Sequence, residues 1–600
     1  MRMTGNLSSW IVTGPRFSGT FYIAGAMFHS NQGYVGRVPH LVESETRRTK
    51  ASRRHPGTVF RALCGRVGGW QRMRGLEMGA SRTLIVVLGA ILTALAGLGA
   101  AAAPVTPSAS AGPVAAATVP VIPFTTGHVL TAGGMSAPPT TAQCEQNFAI
   151  ACYQVFQLQR AYDLSPLFAR GIEGQGQTIV IVDAFGSPSI ASDLQTFDAQ
   201  MGLPDPPSLR VITPEGPVTT TAQTCTSSYS ATGPDTCTDY YRWTDETSLD
   251  VEWAHAMATK ANLLLVETPM TETEGITGLP QLLAAEKYVI DHHLGDVISQ
   301  SFGAAEQTFS SPGQIYALRS VYVNAFRHGV TVLAASGDTG ASDDYCDPRS
   351  GCADPSDVFC CDSTRSISWP ASDPLVTAVG GTQLSLDGEG DRTAPDRVWN
   401  DPSSTFGVTG PAYTLGASAG GRSTVFARPS FQDVVAGIVG DSRGTPDIAM
   451  SAADSGAVDF YDTADPFVDG WGVGGGTSEA TPLFAGVVAL ADQVAGRSLG
   501  DLNPALYAMA QRGAPNGVVP ISVGNNSNTF CLPADFLSNG ACASSADLVT
   551  VPGFAANGHY NDATGWGTVD AALFVPALAR SARSHEPCTG RAAVTMEGKR

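Results

Sequence analysis

A chain of 600 residues with 43% apolar side chains is long enough for one large packed domain. Its charge is uneven: residues 1–103 carry 13 Lys+Arg against 3 Asp+Glu, and residues 104–600 carry 22 against 51. So acidic a body repels phosphate and excludes a nucleic-acid partner; it suits either plain solubility or an acidic habitat in which many carboxyls hold protons.

In chain order, residues 1–77 are arginine-rich, lack hydrophobic periodicity and read as an upstream extension outside the fold. Residues 78–103 read as a secretory signal peptide. Arg82 precedes an apolar run over 83–99, and the alanines at 100–103 offer small residues for cleavage. No later segment is long and apolar enough to span a bilayer, so a secreted, extracellular protein without a stable membrane partner is expected. Residues 104–151 are rich in Ala, Pro and Thr and read as a linker, too short for a folded prodomain.

From 152 to 580 short β-branched runs alternate with helical stretches. Strands are predicted at 178–183, 262–266, 296–299 and 330–335, and helices at 246–258, 281–293, 315–327 and 478–494. This alternation predicts a single large α/β domain, a doubly wound parallel sheet with helices on both faces. Residues 581–600 read as a polar tail. The cysteines fall in short-range groups: Cys144/Cys152, Cys225/Cys237, Cys346/Cys352/Cys360/Cys361 and Cys531/Cys542. Cys588 stands alone and Cys64 lies in the leader. With no histidines at zinc spacing nearby, local disulfides of an exported protein are expected.

Three motifs carry chemistry. Gly475-Gly476-Thr477-Ser478 is a turn of small residues able to lift a serine hydroxyl to the mouth of a helix. A serine there is a weak nucleophile and needs a base. Glu246 and Asp250, four residues apart, share one helix face. Read alone, they are two solvated acids near a helix N-terminus. Asp338 follows a buried strand in Ser336-Gly337-Asp338-Thr339-Gly340 and, read alone, is a common turn residue. Strand ends feed both this loop and Ser299-Gln300-Ser301-Phe302-Gly303, so both point to the sheet edge where ligands bind.

Together the order Glu246-x-x-x-Asp250, Ser336-Gly337-Asp338-x-Gly340, Gly475-Gly476-Thr477-Ser478-x-x-x-Pro482 resembles the sedolisin family, the serine-carboxyl peptidases. Ala161-Tyr162-Asp163-Leu164, Trp369-Pro370-Ala371-Ser372, Pro446-Asp447-Ile448 and Thr564-Gly565-Trp566-Gly567 are similar too, so the resemblance covers about 152–578. It implies a subtilisin-like fold and hydrolysis of polypeptide substrates. Ser478 would be nucleophile, Glu246 general base, Asp250 its partner, and Asp338 an oxyanion donor with the Ser478 N–H. Such a site works in acid, because a glutamate base is still partly ionised where a histidine would be protonated.

The family's large prodomain is missing from the linker region, so a separately encoded prodomain or activator, or a branch that manages without one, stays open. The resemblance also implies calcium near the C-terminus, but Pro520 and Asn561 stand where two acidic ligands are expected. Two rival readings are kept. A subtilisin-like Ser-His-Asp protease would use Asp183, yet His255, His292, His293 and His328 all lack a His-Gly-Thr context. A secreted protein that kept the fold but only binds is the other. Endopeptidase and tripeptidyl-peptidase activities are equally compatible with these motifs.

Overall fold

The computed structural model describes residues 130–131, 135–219, 236–269, 275–342, 364–513, 515–531 and 542–584. The upstream extension, the signal peptide, most of the linker, Cys225, the Cys346 to Cys361 group and Cys588 lie outside the described residues.

The central sheet has eight strands. These are β1 (Thr178–Ala184), β2 (Leu209–Ile212), β3 (Asn262–Thr268), β4 (Val297–Gln300), β5 (Thr331–Ala335), β6 (Thr377–Gln383), β7 (Arg397–Val398) and β8 (Ile448–Ser451). Across the sheet they run β7-β6-β5-β4-β1-β3-β2, with β8 also on β6. All pairings are parallel except β6 with β7. From β1 the chain goes to the edge strand β2, comes back to β3 between them, and then crosses to the other side of β1 at β4. That reversal opens a crevice at the carboxyl ends of β1 and β4. The mostly parallel doubly wound sheet is therefore what the alternation predicted.

The helices that matter below are α1 (Thr236–Met257), α2 (Gly275–Asp291), α3 (Pro312–Leu318), α4 (Ser320–His328), α5 (Thr477–Ala495) and α6 (Ala571–Ser584). Strand alternation sorts the core onto two faces. Ile179, Ile181, Leu263 and Leu265 pack with Trp253, Ala254, Met257, Phe484 and Val488 of α1 and α5. Val180, Val182, Leu264 and Val266 pack with Leu282, Val289, Ile290, Val321 and Tyr322 of α2 and α4. Each such side chain, fully buried, contributes about 1.5–3 kcal/mol. The strand-end acid Asp183 and the loop after β4 are thus held by apolar layers on both sides.

α1 and α5 touch closely. A Cβ on Gly486 would lie 2.4 Å from Met257 Cβ, so only glycine permits this spacing. A smaller sheet flanks the nucleophile turn: β9 (Ala457–Asp462) pairs antiparallel with β10 (Gly470–Gly474), and Leu130–Thr131 pairs with the other edge of β10.

Several boundaries differ from expectation. α1 begins at Thr236 rather than 246, so Glu246 sits in mid-helix and the helix-terminus reading of the acid pair is incorrect. The helix expected over 315–327 is two, α3 and α4, broken at Arg319. Arg319 there grips the buried Asp373 with Nε at 2.8 Å and Nη2 at 2.9 Å. The linker stretch contains a helix, Thr141–Phe148, started by a Thr140/Gln143 capping box. A Cys144–Cys152 disulfide ties it to the domain. Ser581–Ser584 of the expected tail complete α6. Cys531–Cys542 is bonded as its spacing suggested.

Candidate active site

α5 starts where Gly476 adopts a φ of 97°, a conformation that side chains resist. The Gly476 N–H is anchored on the Ala452 carbonyl at 2.6 Å. Thr477 and Ser478 then occupy the first turn, where backbone N–H groups have no partner inside the helix and face the crevice. Ser478 is buried, and its Oγ is without a hydrogen-bond partner.

Asp338 arrives from the loop after β5 and meets this turn. Its Oδ1 accepts the Thr477 N–H at 2.8 Å and the Thr477 hydroxyl at 2.7 Å. Its own carbonyl accepts Ala417 N–H at 2.7 Å, and that of Gly337 accepts Ala419 N–H at 2.8 Å. The loop and the nucleophile turn are thus one hydrogen-bonded unit.

The acid pair belongs to α1. From Trp243 to Met257 the helix is buried on every side, acids included. Its carboxyls divide between two faces. Glu252 turns to β9, where Oε2 accepts Tyr461 N–H at 3.0 Å, and Asp245 meets Asp462 and Asp465. Glu246 and Asp250 turn toward the sheet. Asp250 Oδ1 accepts the Ser301 hydroxyl at 3.0 Å, from the loop after β4. Burial, then the neighbouring charges of Glu246 and Asp183, push the Asp250 carboxyl well above the ordinary carboxylate range. Asp183, at the end of β1, is raised likewise by burial and by Glu246. Three carboxyls therefore share one buried pocket of charge, in which some must stay protonated at neutral pH.

The structure brings Asp338 onto the residue before Ser478, and gathers Glu246 with Asp250, on two helices that pack together. Sequence reasoning missed three neighbours: Asp183 as a member of the acid cluster, Ser301 and Thr477. Each stands in a stretch read as leading to this edge, but its partner lies far away in sequence.

No described histidine joins this group. His255 is buried on α1, with Nε2 2.9 Å from the Pro204 carbonyl and 3.3 Å from Asp198 Oδ1. Burial lowers its pKa to about 4. His292, His293 and His328 are exposed at the ends of α2 and α4.

The C-terminal loop has Pro520 and Asn561 where the resemblance implies two acidic calcium ligands. Asn561 Oδ1 accepts the Ala563 and Thr564 N–H groups, both at 3.0 Å. This fixes the amide nitrogen on the other side, where it donates to the His559 carbonyl at 3.1 Å. Pro520 is exposed and has no ligand atom in its side chain, and the Ile521 carbonyl accepts Gly558 N–H at 2.8 Å. Asp562, the remaining carboxylate here, is held by Arg422 Nε at 3.0 Å. Among the described residues the one cluster with metal-ligand spacing is Cys144, Cys152 and Asp459, and its two sulfurs are already bonded to each other.

A model of the subtilase family matches residues 228–510, a span that contains Glu246, Asp250, Asp338 and Ser478. Kumamolisin of Bacillus sp. (strain MN-32) is 30% identical over 389 residues, 64% of this chain and 59% of that protein. Sedolisin of Pseudomonas sp. (strain 101) is 33% identical over 252 residues, 42% of this chain and 38% of that protein. The chain therefore spans less than two thirds of the length of these relatives. The structure of Pseudomonas sedolisin, a serine-carboxyl proteinase complexed with two molecules of pseudo-iodotyrostatin, superposes with a TM-score of 0.53 at 26% identity, covering 73% of this chain and 99% of that one. In sequence and in fold the chain is thus similar to the sedolisins, which are serine-carboxyl peptidases.

Proposed function

We propose that this protein hydrolyses peptide bonds in acid, through Ser478, Glu246, Asp250 and Asp338. The observation that supports this best is the pairing of a bare Ser478 hydroxyl with an Asp338 carboxyl locked to the same turn, on a helix packed against the one that carries a buried acid pair, with no described histidine among them. Glu246 takes the proton of Ser478 Oγ as that oxygen attacks the substrate carbonyl carbon. The carbonyl oxygen becomes an oxyanion, which the Ser478 N–H and the Asp338 acid proton stabilise. The C–N bond then breaks, and Glu246 returns its proton to the departing amine. Water, deprotonated by Glu246, attacks the acyl ester and regenerates Ser478. Asp250, which burial and neighbouring charge keep protonated, donates to Glu246 and fixes its orientation.

The acid range follows from two requirements. Glu246 must be ionised and Asp338 must keep its proton, so activity is expected to peak between about pH 3 and 5 and to be nearly gone at neutral pH. Polypeptides are the substrates in this reading, whether cleaved internally or as tripeptides from a free N-terminus. The Asn561 loop supports a fold independent of calcium. No described helix is long and apolar enough to cross a membrane. Secretion directed by 78–103, followed by a linker and a peptidase domain near 152–580, is the organisation we propose, with any prodomain or activator supplied separately.

The test is hydrolysis of an unfolded protein from pH 2 to 8 by the full chain and by Ser478→Ala. Acid activity lost in the variant is expected. Activity confined to pH 8, or acid activity that survives in the variant, would overturn the mechanism. Folded protein inactive throughout would favour a binding role.

A further inference from the structure

We infer that Thr477 is a positioning residue that decides which oxygen of Asp338 carries the acid proton, and so aims that proton at the oxyanion. This deepens the reading above and rests on it.

The argument begins with the threonine hydroxyl. Its Oγ1 accepts the Gly337 N–H at 3.1 Å. An N–H can only donate, so the hydroxyl hydrogen is turned away from Gly337 and toward Asp338 Oδ1, 2.7 Å off. The Thr477 N–H meets the same oxygen at 2.8 Å. Two hydrogens therefore converge on Oδ1. A third on that oxygen would collide with one of them. Oδ1 is fixed as the acceptor, and the proton of the neutral acid belongs on Oδ2. The loop backbone cannot rotate to undo this, because Ala417 and Ala419 hold the Asp338 and Gly337 carbonyls and Ser336 Oγ holds the Ala419 carbonyl at 2.7 Å. Thr477 Oγ1 is thus a relay between one fixed N–H and one carboxyl oxygen, on the residue that directly precedes the nucleophile.

The same bond affects proton loss. A donor to a carboxylate favours the ionised form, so removing it makes Asp338 keep its proton to higher pH. The other titratable groups around this turn are Glu479 on α5, Asp454 and Asp401 beneath Gly475, and Glu246, Asp250 and Asp183 across the crevice. None of them is altered by a change at Thr477, so they form a common background.

The experiment compares kcat, KM and pH profiles of the full chain with those of Thr477→Val, Thr477→Ser and Asp338→Ala, all checked for folding. Thr477→Val has nearly the shape of threonine but no hydroxyl. It is expected to lower kcat roughly 10-fold with KM within about 2-fold, because the carboxyl no longer presents one oxygen. Its alkaline limb should move up by about one pH unit. Thr477→Ser should restore both. Thr477→Ala takes the place of the valine variant if that does not fold. An alkaline limb that stays put in the hydroxyl-free variants, or a serine variant that behaves like valine, overturns the inference while leaving the proposed mechanism standing. If Asp338→Ala keeps full acid activity, the oxyanion reading of Asp338 fails and the inference falls with it.

Discussion

Glu286 offers a test of the physics of this fold away from the site. It lies on α2, fully buried, where Gln300 at the end of β4 donates from Nε2 to Glu286 Oε1 and reaches the Tyr322 hydroxyl at 3.2 Å. Burial, only partly offset by the Gln300 bond, lifts its pKa from an ordinary 4.5 to about 8. A carboxyl raised in the folded state stabilises fully below its unfolded pKa and loses that contribution as pH climbs toward the folded one. Between pH 4 and pH 7 almost the whole interval from 4.5 to 7 counts, at about 1.4 kcal/mol per pH unit. The fold should lose about 3 kcal/mol over this range from Glu286 alone. Glu286→Gln keeps the acceptor oxygen for Gln300 and has no proton to lose. In a Ser478→Ala background, which prevents self-digestion, urea unfolding followed by fluorescence gives both stabilities. The two proteins should match within about 1 kcal/mol at pH 4, and the variant should be about 3 kcal/mol more stable at pH 7. Every other buried acid is shared and cancels in the difference. A gap that is equal at both pH values would refute the reasoning.

Other outcomes are as definite. Gly486→Ala places a methyl 2.4 Å from Met257 Cβ and should cost about 1–3 kcal/mol in the same unfolding assay; no loss would mean that α1 and α5 separate freely. Chelator or excess calcium should leave the thermal midpoint within about 1 °C, since Asn561 already closes its own loop, and a rise of several degrees with calcium would contradict that. Replacing His292, His293 or His328 by Ala should leave kcat/KM within about 2-fold. His255→Gln should lower stability through its contacts with Pro204 and Asp198 without moving the pH profile; loss of the profile would return histidine to the mechanism.

What the sequence discloses here depends on the range over which the physics acts. The glycines of the Ser478 turn, the β-branched run at 178–183 and the four-residue spacing of Glu246 and Asp250 are local, and each appears in the fold as read. The start of α1 and its burial escaped because a helix is recognised from one apolar and one polar face, and this one is buried from Trp243 onward with four acids inside it. Its carboxyls look like surface residues until the partners are known. Asp183, Ser301 and Thr477 acquire roles only through the register of β1 with β3 and β4 and the docking of α5, which no short window contains. The break at Arg319 has the same origin, since Asp373 comes from 54 residues downstream. Asn561 shows the same divide: its place at an implied ligand position is legible beside Pro520 in the sequence, whereas its bonds to Ala563, Thr564 and His559 appear only in the folded loop.

The pairing of Leu130–Thr131 with β10 bears on how the protein can be handled. β10 runs straight into Gly475 and Ser478, and one of its edges is covered by β9. The other meets Thr131 and Leu130 at Gly472 and Val473. Trimming the chain past that short segment would strip a strand rim of its covering, leaving backbone groups able to recruit any extended peptide, including the same rim of a second molecule. Clumping of shortened protein would then begin beside the nucleophile itself, and would mimic a loss of catalysis.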